Sequence, residues 1–209
     1  MKAINSFLQY RPNAEWIRES SGLPWLELEL AVPVDVILRE FETVKHRLVK
    51  HRSGDVVVGH KHAGWKSMCI YGVNTETTTN SDKQHNWTDI AENCSYTVAW
   101  IKENFVIDDK TGRMRFMYLE PGGYILPHTD KTKSRLTEIN IAITHPKGCV
   151  FRFLDKGNIP FEPGKAFIID TSNRHMVFNN SNKPRLHMIM HTKISDETIV
   201  ESYEKSYYC

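Results

Sequence analysis

With 209 residues, of which 40% are hydrophobic and 11% aromatic, the chain is long enough for one domain with a sizeable core. A net charge of +2, with Lys and Arg scattered among Asp and Glu, argues against a basic face for nucleic acid. No apolar run resembles a signal peptide or a bilayer span. Cys69, Cys94, Cys149 and Cys209 show no C-x-x-C pairing, which speaks against structural zinc and a disulfide framework. The expectation is a cytoplasmic protein with reduced thiols, and neither nucleic acid nor membrane as a partner.

Residues 1–22 carry few signals and are expected to form a loosely packed lead-in. From Trp25 the chain alternates, with Leu26, Leu28 and Leu30 on one face, which predicts a half-buried strand. Pro33 precedes an amphipathic run in which Ile37, Phe41, Val44 and Leu48 share a helical face, ending near Lys50. A short apolar run follows at Met68 to Tyr71. Just before it, His60 and His62 have the spacing of a ligand pair. With no third partner nearby, they are expected in a polar loop near a substrate entrance. Residues 74–93 form the longest polar stretch, either an exposed loop or an active-site lid. A helix is predicted over 95–105, with Asn93 or Ser95 as its N-cap.

From Arg113 the texture changes to short strands punctuated by Gly and Pro. Strands are predicted near 113–119, 124–128, 137–143, 149–154, 165–169, 175–179 and 185–192. Such spacing predicts a mainly β fold with flanking helices, a double-sheet jelly roll. With no repeat or linker visible, residues 1–209 are expected to form a single domain. Within it, 1–112 would supply a mixed α/β lead-in and flanking helices, and 113–195 the jelly-roll core.

One constellation stands out. His128 and Asp130 are two apart, so in an extended segment they project from one face. His175 and Arg185 follow, each next to a predicted strand. Two imidazoles and one carboxylate suit a ferrous ion, and three ligands on one side leave other positions open for substrate and oxygen.

The segment Met114 to Asp130 resembles the signature of the aspartyl/asparaginyl β-hydroxylase family. Arg135 to Ile143, Gly148 to Phe151, Gly164 to Asn179 and Lys183 to Ile189 continue the resemblance in order, and Trp65 to Gly72 fits its weaker upstream pattern. These enzymes are similar in fold to bacterial proline 3-hydroxylase, a double-stranded β-helix carrying Fe(II) and 2-oxoglutarate. The resemblance therefore implies a dioxygenase that hydroxylates an unactivated C–H bond. It would use Fe(II), O2 and 2-oxoglutarate as cosubstrate, with ascorbate in a supporting role. It places the iron ligands on His128, Asp130 and His175, and the anchor for the distal carboxylate of 2-oxoglutarate on Arg185. Arg135 and Asn140 match catalytic-pocket positions that contact cosubstrate or substrate. Some animal members carry glycine where this chain has Asp130. The large animal enzymes also carry a membrane anchor and a helical-repeat region that this sequence lacks, so their substrates are poor guides here.

The implied substrate is an amino acid, or an Asp/Asn-like side chain of a peptide or protein. An alternative is a cupin-type metal-binding jelly roll that isomerises or binds a small ligand without 2-oxoglutarate chemistry. Such a protein has no need of a carboxylate anchor at Arg185. His187 lies on the same strand face as Arg185 and is expected as a core or rim histidine, or else at the pocket wall if Arg185 points inward. Trp25, Trp65, Trp87 and Trp100 are expected to pack in the core or a lid.

Overall fold

The computed structural model describes residues 23–51, 62–78, 83–130 and 138–208. The lead-in 1–22, His60, Cys209 and Arg135 lie outside them. In chain order, β1 (Trp25–Leu28) is followed by α1 (Val34–Val44), a 3-10 turn, β2 (Val49–Lys50), β3 (His62–Gly72) and β4 (Asn86–Trp87). A second 3-10 turn leads into α2 (Ser95–Asn104) and the long β5 (Met114–His128). Then come β6 (Glu138–Thr144), β7 (Cys149–Phe153), β8 (Gly157–Asn158), β9 (Ala166–Ile169), β10 (His175–Asn179), β11 (Arg185–Met190) and α3 (Asp196–Tyr208).

The strands form a curled antiparallel sheet in the order β1-β9-β6-β11-β5-β10-β7-β8, with β3 also pairing with β5. This is the jelly roll expected from the spacing of turns. Its hinge is β5, predicted as two strands and observed as one of 15 residues. The first half of β5 pairs with β11 from Leu119 to Met114, and the second half pairs with β10 at Tyr124, Ile125 and His128. Between them Gly122 takes a φ of 72°, and a Cβ on Gly123 would lie 2.8 Å from the Glu120 carbonyl oxygen. Both positions need glycine for the chain to turn the corner from one half-sheet to the other.

Period-two alternation divides the strands between two cores. On β6, Ile139, Ile141 and Ile143 face outward, and on β11 Leu186, Met188 and Met190 do the same. They bury against Ile37 and Phe41 of α1 and Ile101 of α2, all at most 1% exposed. Burying such side chains contributes about 1.5–3 kcal/mol each. The opposite face of the same strands carries Glu138, Asn140, Arg185 and His187, which point into the curl of the sheet. A smaller apolar cluster there includes Leu119, Ile125, Phe151, Phe153, Phe161 and Phe167.

The expected helix with Ile37, Phe41 and Val44 buried is present, ending at Val44 before the 3-10 turn Lys45–Arg47. α2 starts where expected but lacks the predicted Asn93 or Ser95 cap. Its first amides are capped from another element: the Glu40 carboxylate of α1 accepts from the N–H groups of Tyr96 and Thr97 at 2.9 and 2.8 Å. Met68 to Tyr71 belongs to the 11-residue β3, nearly three times the expected reach. The described part of 74–93 is not a plain exposed loop. β4 pairs with β3, and Thr75, Thr78, Thr88 and Ile90 are buried. The polar helix α3 has no counterpart in the sequence reading. It packs on β1, where Ser202 Oγ accepts from the Glu29 amide at 2.9 Å. Among the described residues no helix is long and apolar enough to cross a membrane.

Candidate metal centre and its cavity

The corner in β5 brings His128, at the end of that strand, directly opposite His175, the first residue of β10. Directly paired residues project from the same face, so the two imidazoles meet with ring centroids 4.3 Å apart. Asp130 lies just beyond β5, its amide donating to the Thr171 carbonyl at 3.0 Å. That anchor turns its carboxylate back, 3.5 Å from Nε2 of His128 and 3.5 Å from Nε2 of His175. The three ligand atoms lie within 4.8 Å of one another, and no other candidate metal group occurs among the described residues. The predicted triad is thus assembled.

The other ring nitrogens fix the tautomers. Nδ1 of His128 lies 2.7 Å from the Leu126 carbonyl, and Nδ1 of His175 lies 2.9 Å from the Asn173 carbonyl. A carbonyl only accepts, so each Nδ1 carries hydrogen and donates, leaving Nε2 as the nitrogen of each ring that faces the carboxylate and is free to ligate. Two lone pairs and a carboxylate facing one another make a donor set for a cation. Burial alone would raise the Asp130 carboxyl. When those rings also carry a proton on Nε2, hydrogen bonds and charge from His128 and His175 outweigh burial and hold that group well below the usual carboxylate range, and a bound cation takes the place of those protons. Phe151 stacks on His175 at 5.3 Å and 9°, closing the apolar side.

The triad opens onto a cavity of about 280 Å³. Arg185, first in β11, reaches it from the other half-sheet and is 3% exposed. Its Nη2 donates to Nδ1 of His187 at 2.8 Å, while its Nε has no partner. Among the described residues no carboxylate lies within ion-pair distance of it. Burial lowers its guanidinium to about 10, still charged at neutral pH. A buried cation without a counter-ion costs several kcal/mol, by order of magnitude, unless an anion joins it.

Asn140 also lines the cavity, and its Oδ1 atom lies 2.7 Å from Nδ1 of His187. His187 itself is wholly buried behind Arg185, so the expectation of a core histidine holds. His62 opens β3 and packs edge-on against Trp65, which lines the cavity. Several lining residues were missed by the sequence reading: Arg113, Arg115, Glu138 and His191 form a polar wall. Arg113 and Arg115 both donate to the Thr78 carbonyl. Arg115 donates to Nε2 of His191 at 2.9 Å. Their signal was the alternation Arg113, Arg115, Met117, Leu119, in phase with Arg185, His187, Ile189 and His191 across the sheet.

Fold and site together define a jelly-roll oxygenase of the hydroxylase class. The model of the aspartyl/asparaginyl beta-hydroxylase family matches residues 33–193, and the chain belongs to that family. No curated protein matches the sequence significantly. Among solved structures, a Trichoplax adhaerens prolyl hydroxylase in complex with a hypoxia inducible factor peptide fragment is similar at TM-score 0.57 and 10% identity. The match covers 88% of this chain and 90% of that one. An oxidoreductase of the 2OG-Fe(II) oxygenase family from Burkholderia pseudomallei is similar at TM-score 0.50 and 11% identity, covering 85% and 86%. A non-heme alpha ketoglutarate dependent epimerase from nogalamycin biosynthesis is similar at TM-score 0.51 and 12% identity, covering 89% and 80%. At such identities the likeness concerns the fold.

Proposed function

We propose that this protein is an Fe(II)- and 2-oxoglutarate-dependent hydroxylase acting on an amino acid or on an Asp/Asn-like side chain of a peptide or protein. The observation that carries this reading is the pairing, in one cavity, of a His128–Asp130–His175 donor set with the buried guanidinium of Arg185, which has no counter-ion among the described residues. The donor set fits a ferrous ion held on one side, and Arg185 fits the far carboxylate of a dianionic cosubstrate. Iron with 2-oxoglutarate supplies the oxidant for inserting one oxygen atom of O2 into a C–H bond, with succinate and CO2 as co-products. The protein's own part is positioning. His128, Asp130 and His175 hold the metal from one side and leave the cavity side open. Arg185 fixes the cosubstrate's orientation, and Ile125, Phe151, Ile169 and Val177 keep bulk water away.

The same reading places the substrate's carboxylate or amide against the polar wall of Arg113, Arg115 and Glu138, with Asn140 beside it. Arg135, outside the described residues, stays in this proposal as a pocket residue. A cupin-type binder without 2-oxoglutarate would bury Arg185 for no gain, which sets that alternative aside.

Anaerobic absorbance titration tests the assignment. Iron(II) alone should leave the visible region blank, and added 2-oxoglutarate should raise a charge-transfer band that is lost in His175→Ala. An unchanged spectrum with the wild-type protein would refute the reading. Mass spectrometry of an amino-acid and peptide panel, with iron, ascorbate and 2-oxoglutarate, then identifies the substrate.

A further inference from the structure

Behind Arg185 the structure holds a polar chain, buried at His187 and half-buried at His145, with no part in the chemistry above. His187, wholly buried, lies between Arg185 and His145. Its Nε2 is 3.1 Å from Nδ1 of His145, and Nε2 of His145 is 3.0 Å from the Cys149 carbonyl. Phe161 packs edge-on against His187 at 4.6 Å.

Hydrogen-bond logic allows one direction along this chain. The Cys149 carbonyl only accepts, so His145 donates from Nε2, and its neutral ring offers a lone pair at Nδ1. Burial, and then the charge of Arg185, pushes His145 down to about 4, so the ring is neutral at working pH. His187 must then donate from Nε2, leaving its Nδ1 as an acceptor for the Arg185 guanidinium, which can only donate. The reversed chain fails at both ends, with lone pairs facing at Cys149 and hydrogens facing at Arg185. The same direction requires the Asn140 amide to turn its NH2 toward His187, where it shares the Nδ1 lone pair with Arg185 while Oδ1 takes the buried position now held by Nδ2.

We propose that His187, held in the Nε2–H tautomer by His145, is a positioning residue that fixes the Arg185 guanidinium without neutralising it. This deepens the proposed function and rests on it. A carboxylate at this position would orient Arg185 equally well but would satisfy its charge. An imidazole orients it and leaves the full charge for the incoming carboxylate. The inference thus names the source of the site's anion affinity: a cation steered by neutral acceptors.

Calorimetry of 2-oxoglutarate binding to the anaerobic iron(II) protein tests it, with iron affinity and melting temperature measured in parallel. His187→Leu removes the acceptor and should weaken 2-oxoglutarate about tenfold while leaving iron affinity unchanged. His187→Asn places an amide oxygen near the Nδ1 position and should recover most of that loss. His187→Asp should be the worst of the three despite being able to orient Arg185, because its charge competes with the cosubstrate. A merely structural role would not give that order. Nitrogen-15 NMR of the zinc-loaded protein reads the tautomer directly, with His187 expected to be protonated at Nε2. Equal affinity of all three variants, His187→Asp binding as well as His187→Asn, or a proton on Nδ1 of His187 would each overturn the inference. Failure of the wild-type iron complex to bind 2-oxoglutarate would instead overturn the proposed function beneath it.

Discussion

Two histidine pairs stand out among the described residues, and they are wired in opposite senses. His128 and His175 are tied to backbone carbonyls through Nδ1, so both Nε2 atoms face the Asp130 carboxylate. His145 is tied to the Cys149 carbonyl through Nε2, so the lone pairs of that pair run inward and end on Arg185. The first pair turns Nε2 atoms toward a carboxylate, as a site for a mobile cation requires, and the second faces a fixed cation. The same side chain does both jobs because a backbone carbonyl decides which nitrogen keeps its proton. Neither assignment is visible in the identity of the residues.

The sharpest way to break the comparison is to remove one member of the metal pair. His175→Ala should lower iron affinity by more than about 100-fold and abolish turnover, since even an outer-sphere partner costs 10–100-fold. Cosubstrate binding should be lost with it. Equilibrium dialysis against ferrous iron checks this, and full retention of iron would dissolve the distinction between the pairs.

Next in size is the cation at the end of the second pair. Arg185→Ala should weaken 2-oxoglutarate at least ~30-fold while iron affinity stays near wild type. Arg185→Lys should recover only part, because a single ammonium cannot reproduce the two-pronged contact. Calorimetry at fixed iron separates the two ligands. If Arg185→Ala weakened iron and cosubstrate equally, the two ends of the cavity would not be independent.

Acid provides a third contrast. The His145 imidazole is pushed down to about 4 by burial and by Arg185, and burial lowers His187 as well. In the unfolded chain such groups titrate near 6.5. Between those values the unfolded chain binds protons that the folded one refuses, so stability is full above about pH 6.5 and falls as pH drops toward about 4. For His145 alone the loss between about pH 7.5 and about pH 5 should be roughly 2 kcal/mol. Urea unfolding of the metal-free protein at both pH values measures it. In His145→Phe the acid loss should shrink by that amount, and an identical loss in both proteins would show that the pair does not resist protonation.

Much of this site was legible in the sequence, and the rest was hidden for identifiable reasons. His128, Asp130, His175 and Arg185 could be found because each sits beside a strand end with fixed spacing or order. The strands could be placed because Gly and Pro mark their turns. β5 was split in two because Pro121, Gly122 and Gly123 look like a hairpin turn, whereas the pairing continues around a corner on both sides. α3 was missed because a helix rich in Glu, Ser and Tyr shows no apolar stripe. Arg113 and Arg115 look like ordinary surface positions until the register with β11 turns them inward. The cap on α2 comes from Glu40, in another element, which no local pattern reveals.

The finest contrast lies in the aromatic rings beside each pair. Phe151 lies flat on His175 at 5.3 Å, and Phe161 meets His187 edge-on at 4.6 Å. Each contact contributes about 1 kcal/mol beyond area burial and holds its ring against rotation. Phe151→Leu should therefore loosen the metal pair and weaken iron a few-fold, with 2-oxoglutarate binding to the iron-loaded protein changed little. Phe161→Leu should do the reverse, because only the ring that steers Arg185 is freed. The measurement is the same pair of titrations, iron alone and then 2-oxoglutarate at saturating iron, on both variants. Phe151 also touches Phe161, with centroids 6.0 Å apart, so some cross-talk is expected. The crossed pattern should nonetheless survive, because each ring's closer imidazole belongs to a different pair. If both substitutions weakened both ligands to the same degree, the two histidine pairs would form one mechanical unit rather than two separately wired ends of one cavity.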